Sequence, residues 1–223
     1  MASWMVHLRV ADKLLDLIPD ISPVAFIVGN LAPDSGIPND DNVTFTPDIS
    51  VSHFGVKSGK DNADAFVSKY FTPTQRIGYS EDAYAFYLGY LTHLLTDLLW
   101  AQQIARPSFR QFLGGEPPYP TESIRPIKDD WYDLDRKYLR DRPGFRAFRA
   151  YLGAVGFRNC FMEEFSEDAF ENRRQYITDF YLQPADGLDR AYPYLTESRM
   201  NAFVDGSVRE ISDILHRNYG IKL

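Results

Sequence analysis

Apolar residues recur along most of the chain at intervals of three and four, the spacing typical of helices that bury one face. A stripe of this kind predicts the first helix, and it consists of Val6, Val10, Leu14 and Ile18. No segment alternates between apolar and polar residues for long enough to predict a sheet. The sequence therefore predicts an all-α fold, a single-domain bundle of many helices.

Segments rich in proline and glycine separate the other predicted helices. A short buried helix is expected to start at Pro23 and to end at Gly29–Asn30. Later helices are predicted at about 61–71, 80–104, 127–141, 143–158, 166–182 and 196–218. From Ala32 to about Lys60 the chain is rich in Pro, Asp, Asn, Ser and Gly, which predicts a long irregular loop. Such a loop inside a compact domain usually has a function.

Composition supports one globular core. The 223 residues are 44% hydrophobic and 15% aromatic, which excludes a disordered or fibrous protein. Cys160 is the single cysteine, so neither an intramolecular disulfide nor a cysteine-based zinc site is expected. The first 20 residues lack the long apolar core and the cleavage site of a secretory signal, so we expect a cytoplasmic protein.

Charge narrows the choice of partners. The run between Asp82 and Asp97 has no acidic or basic side chain, but it is shorter than the roughly 18–20 residues of a membrane span and predicts a buried central helix. The net charge of −7 argues against a stable nucleic-acid partner. Residues 101–160 are locally basic, and there Arg142, Arg146 and Arg149 either attract a phosphate or form a solvated helix face.

Two polar residues interrupt the central helix. His93 and Asp97 are four apart, so their side chains lie on one helix face. A carboxylate inside an apolar helix is costly without a partner. The two side chains could pair with each other, with an arginine, or with a metal ion.

Imidazole and carboxylate are the groups that bind zinc when no thiol is present. The candidate set of such residues is His7, Asp34, His53, His93 and Asp97. Taken singly, His7 at a helix edge and Asp34 in a Pro-Asp-Ser-Gly turn also have purely structural explanations. His216 lies near the end of a predicted helix, where the helix dipole favours histidine, and we expect it to be structural.

Four short segments resemble one known family in their order and spacing. They read WMVHLRVADKLLD, GNLAPDSG, VSHF and FYLGYLTHLLTDLLW, and together they cover about the first 100 residues. They resemble the bacterial zinc-dependent phospholipase C family, whose wider superfamily includes single-strand-specific zinc nucleases. The resemblance implies an all-helical domain over residues 1–223 that binds a cluster of zinc ions and hydrolyses phosphoesters.

The resemblance also implies the metal ligands. Asp34, His53, His93 and Asp97 would bind one ion, and Asp97 would bridge to a second ion held by His7. In the family the N-terminal amino group and the first backbone carbonyl group complete the set of ligands of this second ion, whereas six residues precede His7 here.

A third family ion uses two further histidines and a glutamate, but no histidine lies between Asp97 and His216. Asp129 and Asp133 are the nearest substitutes as ligands. Their alternative role is to cap a helix with negative charge.

The expected activity is that of a metal-dependent phosphoesterase with two or three zinc ions and a metal-activated water. Asp34 is the candidate to orient or deprotonate this water as well as to bind metal. The expected substrate is a small phosphoester or a phospholipid headgroup. The alternatives are a noncatalytic protein that a metal stabilises and a nuclease of the same superfamily.

Overall fold

The computed structural model describes residues 1–41, 44–55, 59–115 and 118–222. The helices are α1 (Trp4–Leu15), α2 (Pro23–Leu31), α3 (Ile49–Ser52), α4 (Lys60–Tyr70), α5 (Pro73–Gly78), α6 (Glu81–Trp100), α7 (Arg106–Leu113), α8 (Thr121–Asp141), α9 (Arg146–Gly153), α10 (Ala169–Leu182) and α11 (Glu197–Tyr219). A 3₁₀ turn spans Ala32–Asp34 and a π-helical turn spans Ala101–Ala105. The two short strands β1 (Ile37–Pro38) and β2 (Phe45–Thr46) pair antiparallel. The prediction of an all-α fold is confirmed.

Helix α6 is the centre of the molecule. Every residue from Ala85 to Trp100 is buried, and the Ser80 hydroxyl caps the helix by accepting a hydrogen bond from the backbone N–H of Ala83. The prediction of a buried central helix is confirmed. Within the described ranges, no helix is long and apolar enough to cross a membrane.

Helices α2 and α6 cross in direct backbone contact at two glycines. A Cβ atom at Gly29 would lie 2.1 Å from the carbonyl oxygen of Phe86, and one at Gly89 would lie 2.1 Å from that of Phe26. Only a residue without a side chain fits at either position. The crossing therefore brings the end of α2 and the turn after it against the middle of α6.

The other long helices close around this pair. Helix α1 packs on α2, α6, α9 and α11. On the far side of α6, the indole of Trp100 meets Trp131 of α8 and Phe203 of α11 edge-on, at 5.1 and 5.0 Å between ring centroids. One hydrophobic core thus joins the first and last parts of the chain.

Several predicted helix bounds were wrong at their ends. Helix α8 starts at Thr121 rather than at 127 and contains Pro126 in its second turn. Proline has no N–H to donate to the carbonyl group of Glu122, but Glu122 is exposed, so water can take the place of that donor. The predicted helix 143–158 is shorter and ends at Gly153, before the left-handed Gly156. The predicted helix 80–104 is regular only to Trp100 and then widens into the π-helical turn.

The long loop contains more regular structure than expected. The 3₁₀ turn, the β1–β2 pair and α3 all lie between residues 32 and 60. Helix α5 was missed, although Thr72 and Gln75 form a capping box around Pro73, which is a readable helix start.

Candidate metal centre

The structure brings the five predicted zinc ligands together from four elements. His7 lies on α1, Asp34 ends the 3₁₀ turn, His53 follows α3, and His93 and Asp97 lie on α6. They form two overlapping groups of donor atoms that lie within 4.8 Å of one another, His7–His93–Asp97 and Asp34–His53–His93. Residues up to 90 positions apart in sequence thus meet at one point.

Asp97 lies between the imidazoles. Its Oδ1 is 3.4 Å from Nε2 of His7, and its Oδ2 is 3.7 Å from Nε2 of His93 and 3.8 Å from Nε2 of His53. These distances exceed those of ordinary hydrogen bonds. Within the described part of the chain, the buried Oδ2 has no hydrogen-bond partner. The two carboxylate oxygens therefore face two different sets of nitrogens.

The remaining donors are spaced in the same way. His53 Nε2 lies 3.4 Å from Asp34 Oδ1 and 3.3 Å from His93 Nε2. The rings of His7 and His93 stack with centroids 3.8 Å apart. Neither ring nitrogen of the buried His7 has a hydrogen-bond partner among the residues that the structure describes. Unpaired buried polar atoms are costly, and a bound metal ion at this cluster would remove that cost.

A zinc ion fits the donor set. Zinc binds imidazole nitrogen and carboxylate oxygen at about 2.0–2.2 Å with tetrahedral angles, which places neighbouring donors roughly 3.3–3.6 Å apart. The His7–Asp97, Asp34–His53 and His53–His93 separations of 3.4, 3.4 and 3.3 Å lie in or next to this range. Donor chemistry and spacing are therefore both suited to zinc.

Neighbouring groups orient the imidazoles. His93 Nδ1 donates to the backbone oxygen of Asn30 at 2.8 Å, which leaves the Nε2 lone pair directed to the centre. His53 Nδ1 lies 2.9 Å from the Ser52 hydroxyl, and Tyr90 donates to the Ser52 carbonyl oxygen. Sequence reasoning missed Asn30, since it acts through a backbone carbonyl that has no sequence signature.

The local electrostatics favour the metal-binding protonation states of Asp34, His93 and Asp97. For His53, burial opposes protonation, but contact with Asp34 outweighs burial and raises the pKa. Burial, assisted by His7, lowers the pKa of His93 to about 3. Burial alone would raise the pKa of Asp97, but the N-terminal ammonium group and His7 hold it well below its usual value. Burial likewise opposes ionisation of Asp34, and contact with His53 outweighs it and lowers the pKa. At neutral pH His93 is therefore neutral and both carboxyl groups are ionised.

The segment before α1 also enters the site. The backbone N–H of Ala2 donates to Asp97 Oδ1 at 2.7 Å. The Ser3 hydroxyl donates to the buried Asp135 at 3.0 Å, and the Tyr181 hydroxyl donates to the same carboxyl group at 2.8 Å. Burial raises the pKa of Asp135 to about 7. Sequence reasoning missed Asp135, although it follows the buried Trp131 by four positions on the same helix face.

Asp129 and Asp133 do not join either donor group. Asp133 instead accepts two hydrogen bonds from Arg190, at 3.0 and 2.8 Å, and Asp129 is exposed. The interpretation of these two residues as ligands of a third ion therefore has no geometric support, because an arginine already neutralises Asp133. His216 is exposed in the last turn of α11.

The basic face of α9 is partly paired. Arg146 contacts Asp12 and Asp16 at 2.8 Å each, so this side chain takes part in a surface ion-pair cluster. The alternative of a solvated helix face fits Arg146 better than a phosphate site does.

A cavity of about 140 Å³ opens beside Asp34 and His53. Its apolar wall includes Trp4, Phe45, Pro47, Ile49 and Trp131. Two cations also line it, Lys128 of α8 and Arg173 of α10. The donor cluster is therefore open to solutes on its Asp34–His53 side.

Residues 6–100 match the family model described as zinc dependent phospholipase C. Over this segment the chain therefore resembles the zinc-dependent phospholipase C family. The phospholipase C segment runs from α1 to the end of α6 and contains all five donors. No curated protein and no solved structure matches the chain. The family resemblance seen in the sequence is confirmed, and Asp135, Lys128 and Arg173 lie outside the matched phospholipase C segment.

Proposed function

We propose that this chain is a zinc-dependent phosphoric ester hydrolase that uses at least two metal ions. The observation that supports it best is the buried carboxylate of Asp97, with one oxygen 3.4 Å from His7 and the other 3.7 Å from His93. Two cations held close together repel each other, and an anionic bridge offsets this repulsion. A helix buried on all sides would not otherwise retain an unpaired carboxylate oxygen.

The residues divide between two ions in this proposal. His7 and Asp97 Oδ1 would hold one ion, and the backbone N–H of Ala2 donates a hydrogen bond to the same Asp97 oxygen. Asp34, His53, His93 and Asp97 Oδ2 would hold the other. When bound, zinc supplies Lewis-acid chemistry by making water a nucleophile and stabilising charge on phosphoryl oxygens.

Asp34 is the residue of the cluster that is best placed to act on water. Its side chain is 9% exposed and lines the cavity, whereas His7 and His93 are fully enclosed. Its ionised carboxylate can accept a hydrogen bond from a water molecule in the cavity and hold that water towards phosphorus. The bond from the water oxygen to phosphorus then forms while the ester P–O bond breaks in line; the proton of the water passes to the Asp34 carboxylate, and the ester oxygen leaves and takes up a proton to become the alcohol.

The substrate in this proposal is a phosphoester that reaches the cluster through the cavity. The family description points to a phospholipid, and a small phosphoester has the same reacting group. An assay of zinc-loaded protein with p-nitrophenyl phosphate, bis(p-nitrophenyl) phosphate and a phospholipid, with metal content measured in parallel, tests the proposal.

More than one equivalent of zinc together with phosphoester hydrolysis is the expected result. Less than half an equivalent after zinc addition would overturn the metal assignment. Full zinc without hydrolysis of any of these esters would instead favour the noncatalytic metal-stabilised protein.

A further inference from the structure

The cavity beside the metal cluster is lined by positively charged side chains as well as by metal ligands. Lys128 and Arg173 are its basic residues within the described part of the chain, and Asp34 is its acidic one. Both cations lie outside the phospholipase C segment, on helices that close the cavity from the second half of the chain. In a protein with a net charge of −7, two cations that line a cavity beside the candidate metal ligands indicate an anionic ligand.

Arg173 is held next to the metal ligands. Its guanidinium donates to the carbonyl oxygen of Gly36, two residues after Asp34, and lies 5.2 Å from the ring centroid of Tyr176. No described carboxylate lies within salt-bridge distance of it. A guanidinium has five N–H donors in a fixed plane, so donors remain for a ligand in the cavity.

Lys128 of α8 also lines the cavity. It is exposed, and the structure shows no hydrogen bond or ion pair between Lys128 and another described residue. Tyr132, one turn further along α8, lines the same cavity. Burial raises the pKa of Tyr132 to about 12, so its hydroxyl keeps its proton and can donate at neutral pH. Three donors from two helices thus surround the space in front of Asp34.

We propose that Arg173 and Lys128 bind the non-bridging phosphoryl oxygens of the substrate and favour a dianionic phosphomonoester over a monoanionic diester. This inference rests on the proposed function, because it places the phosphoryl group beside the metal cluster. Coulomb attraction scales with the product of the charges, so a second negative charge on the ligand increases the contribution of each cation. Arginine and lysine are the usual partners of phosphate oxygens.

The test measures binding of inorganic phosphate to the zinc-loaded protein by isothermal titration calorimetry. Lys128→Met and Arg173→Met should each weaken phosphate binding by at least about tenfold, the usual effect of losing a charge-assisted hydrogen bond. Arg173→Lys should restore part of the affinity. Arg125→Met, an exposed cation on the same helix as Lys128 that does not line the cavity, is the control and should bind phosphate like the parent.

Because Arg173 also contacts Gly36, its substitution could disturb the metal site, so zinc content is measured for every variant. Lys128→Met removes a cation without removing a contact to another described residue. Equal phosphate affinity in parent and both Met variants at full zinc would overturn the inference, since the metals alone would then hold the anion. In kinetics, the kcat/KM for p-nitrophenyl phosphate should fall more than that for its bis ester. An equal fall would overturn the monoester preference.

The two proposals fail in different ways. Phosphate binding that depends on Lys128 and Arg173, without turnover of any ester, would keep the anion site and reject the hydrolase. Turnover with phosphate affinity unchanged in the variants would keep the hydrolase and reject the anion site.

Discussion

At the scale of single residues, Asp97 offers the sharpest test of the metal cluster. Asp97→Asn keeps the size of the side chain but removes its charge and one anionic oxygen. We expect this variant to lose one zinc ion and at least about a hundredfold in hydrolysis, on the order of 3 kcal/mol of barrier, while it stays helical. Metal analysis, circular dichroism and an ester assay on the same preparation measure these effects.

The competing interpretation of Asp97 is a simple hydrogen bond with His93. At 3.7 Å the two side chains are too far apart for that bond, and His93 already donates from Nδ1 to Asn30. Full zinc in Asp97→Asn would nevertheless exclude a bridging role. His216→Gln is the matched control, since His216 is exposed at the end of α11 and its loss should leave zinc content unchanged.

Asp135 connects one buried residue to the pH dependence of stability. Its pKa is raised to about 7 by burial, so the folded protein keeps a proton there that the unfolded chain releases above about pH 4. The stability that this group contributes is complete at low pH and is lost as the pH rises through 7. Asp135→Asn removes the titration, so the loss of unfolding free energy that the substitution causes should be smaller at pH 8 than at pH 5 by about 2–3 kcal/mol.

Urea unfolding of the parent and of Asp135→Asn, both in chelator, gives this difference. The metal-site groups titrate alike in the two proteins, so their contribution cancels. A difference in the free energy of unfolding between parent and variant that grows as the pH rises would contradict the raised pKa of Asp135.

The sequence predicted the five side chains that the structure brings together, because a histidine and a carboxylate are rare inside an apolar helix such as α6 and because the family spacing is recognisable. It did not identify Ala2 or Asn30, whose backbone groups contact Asp97 and His93. Backbone contacts depend on how helices cross, and every residue type carries the same backbone. The position of Asp129 and Asp133 outside both donor groups was not predictable, because charge spacing alone does not reveal that Arg190 lies opposite Asp133.

At the scale of secondary structure elements, the α2–α6 crossing determines the position of His93. Gly89→Ala would place a Cβ atom 2.1 Å from the Phe26 carbonyl oxygen, so the helices must separate. We expect a loss of at least about 1–3 kcal/mol in the free energy of unfolding, the usual cost of overpacking, together with weaker zinc binding. Chemical denaturation and metal analysis provide the two readouts.

Gly206→Ala is the matched control for this substitution. Gly206 lies inside α11, and a Cβ atom there would have no described neighbour within 4 Å. Because alanine favours a helix over glycine, this variant should be stabilised by up to about 1 kcal/mol. Equal destabilisation by the two substitutions would show that the α2–α6 crossing is not the cause of the loss.

Helix existence was predictable from the sequence, but helix ends were less so. Periodicity identified α1, α6 and α11 because each presents a buried face over three or more turns. It missed α5, which has no buried residue, and it ended the short α9 too late. The residues at which a helix begins and ends depend on local capping groups and glycines, and a hydrophobic pattern, which extends over several turns, does not indicate them.

At the scale of the whole molecule, the loop between residues 32 and 60 should depend on bound metal. Ile37, Phe45, Ile49 and Val51 of this loop are exposed, so apolar burial holds it weakly. Asp34 and His53 attach it to the cluster. Any ligand that binds only the folded state stabilises that state by mass action, so chelation should lower the melting temperature.

Hydrogen exchange with and without chelator locates this effect. Amide protection should fall in 32–41 and 44–55 and stay unchanged in α11, which lies outside the cluster. Equal protection of the loop in both conditions would contradict the role of metal in ordering it.

The pairing of the first and last helices has a consequence for synthesis on the ribosome. Arg9 and Lys13 of α1 contact Asn201 and Asp205 of α11, so the two ends of the chain meet. When α1 leaves the exit tunnel, the helix that covers this face has not yet been translated. The nascent chain must therefore keep part of an apolar surface open until α11 has been translated, an interval in which chaperone binding would protect it from aggregation.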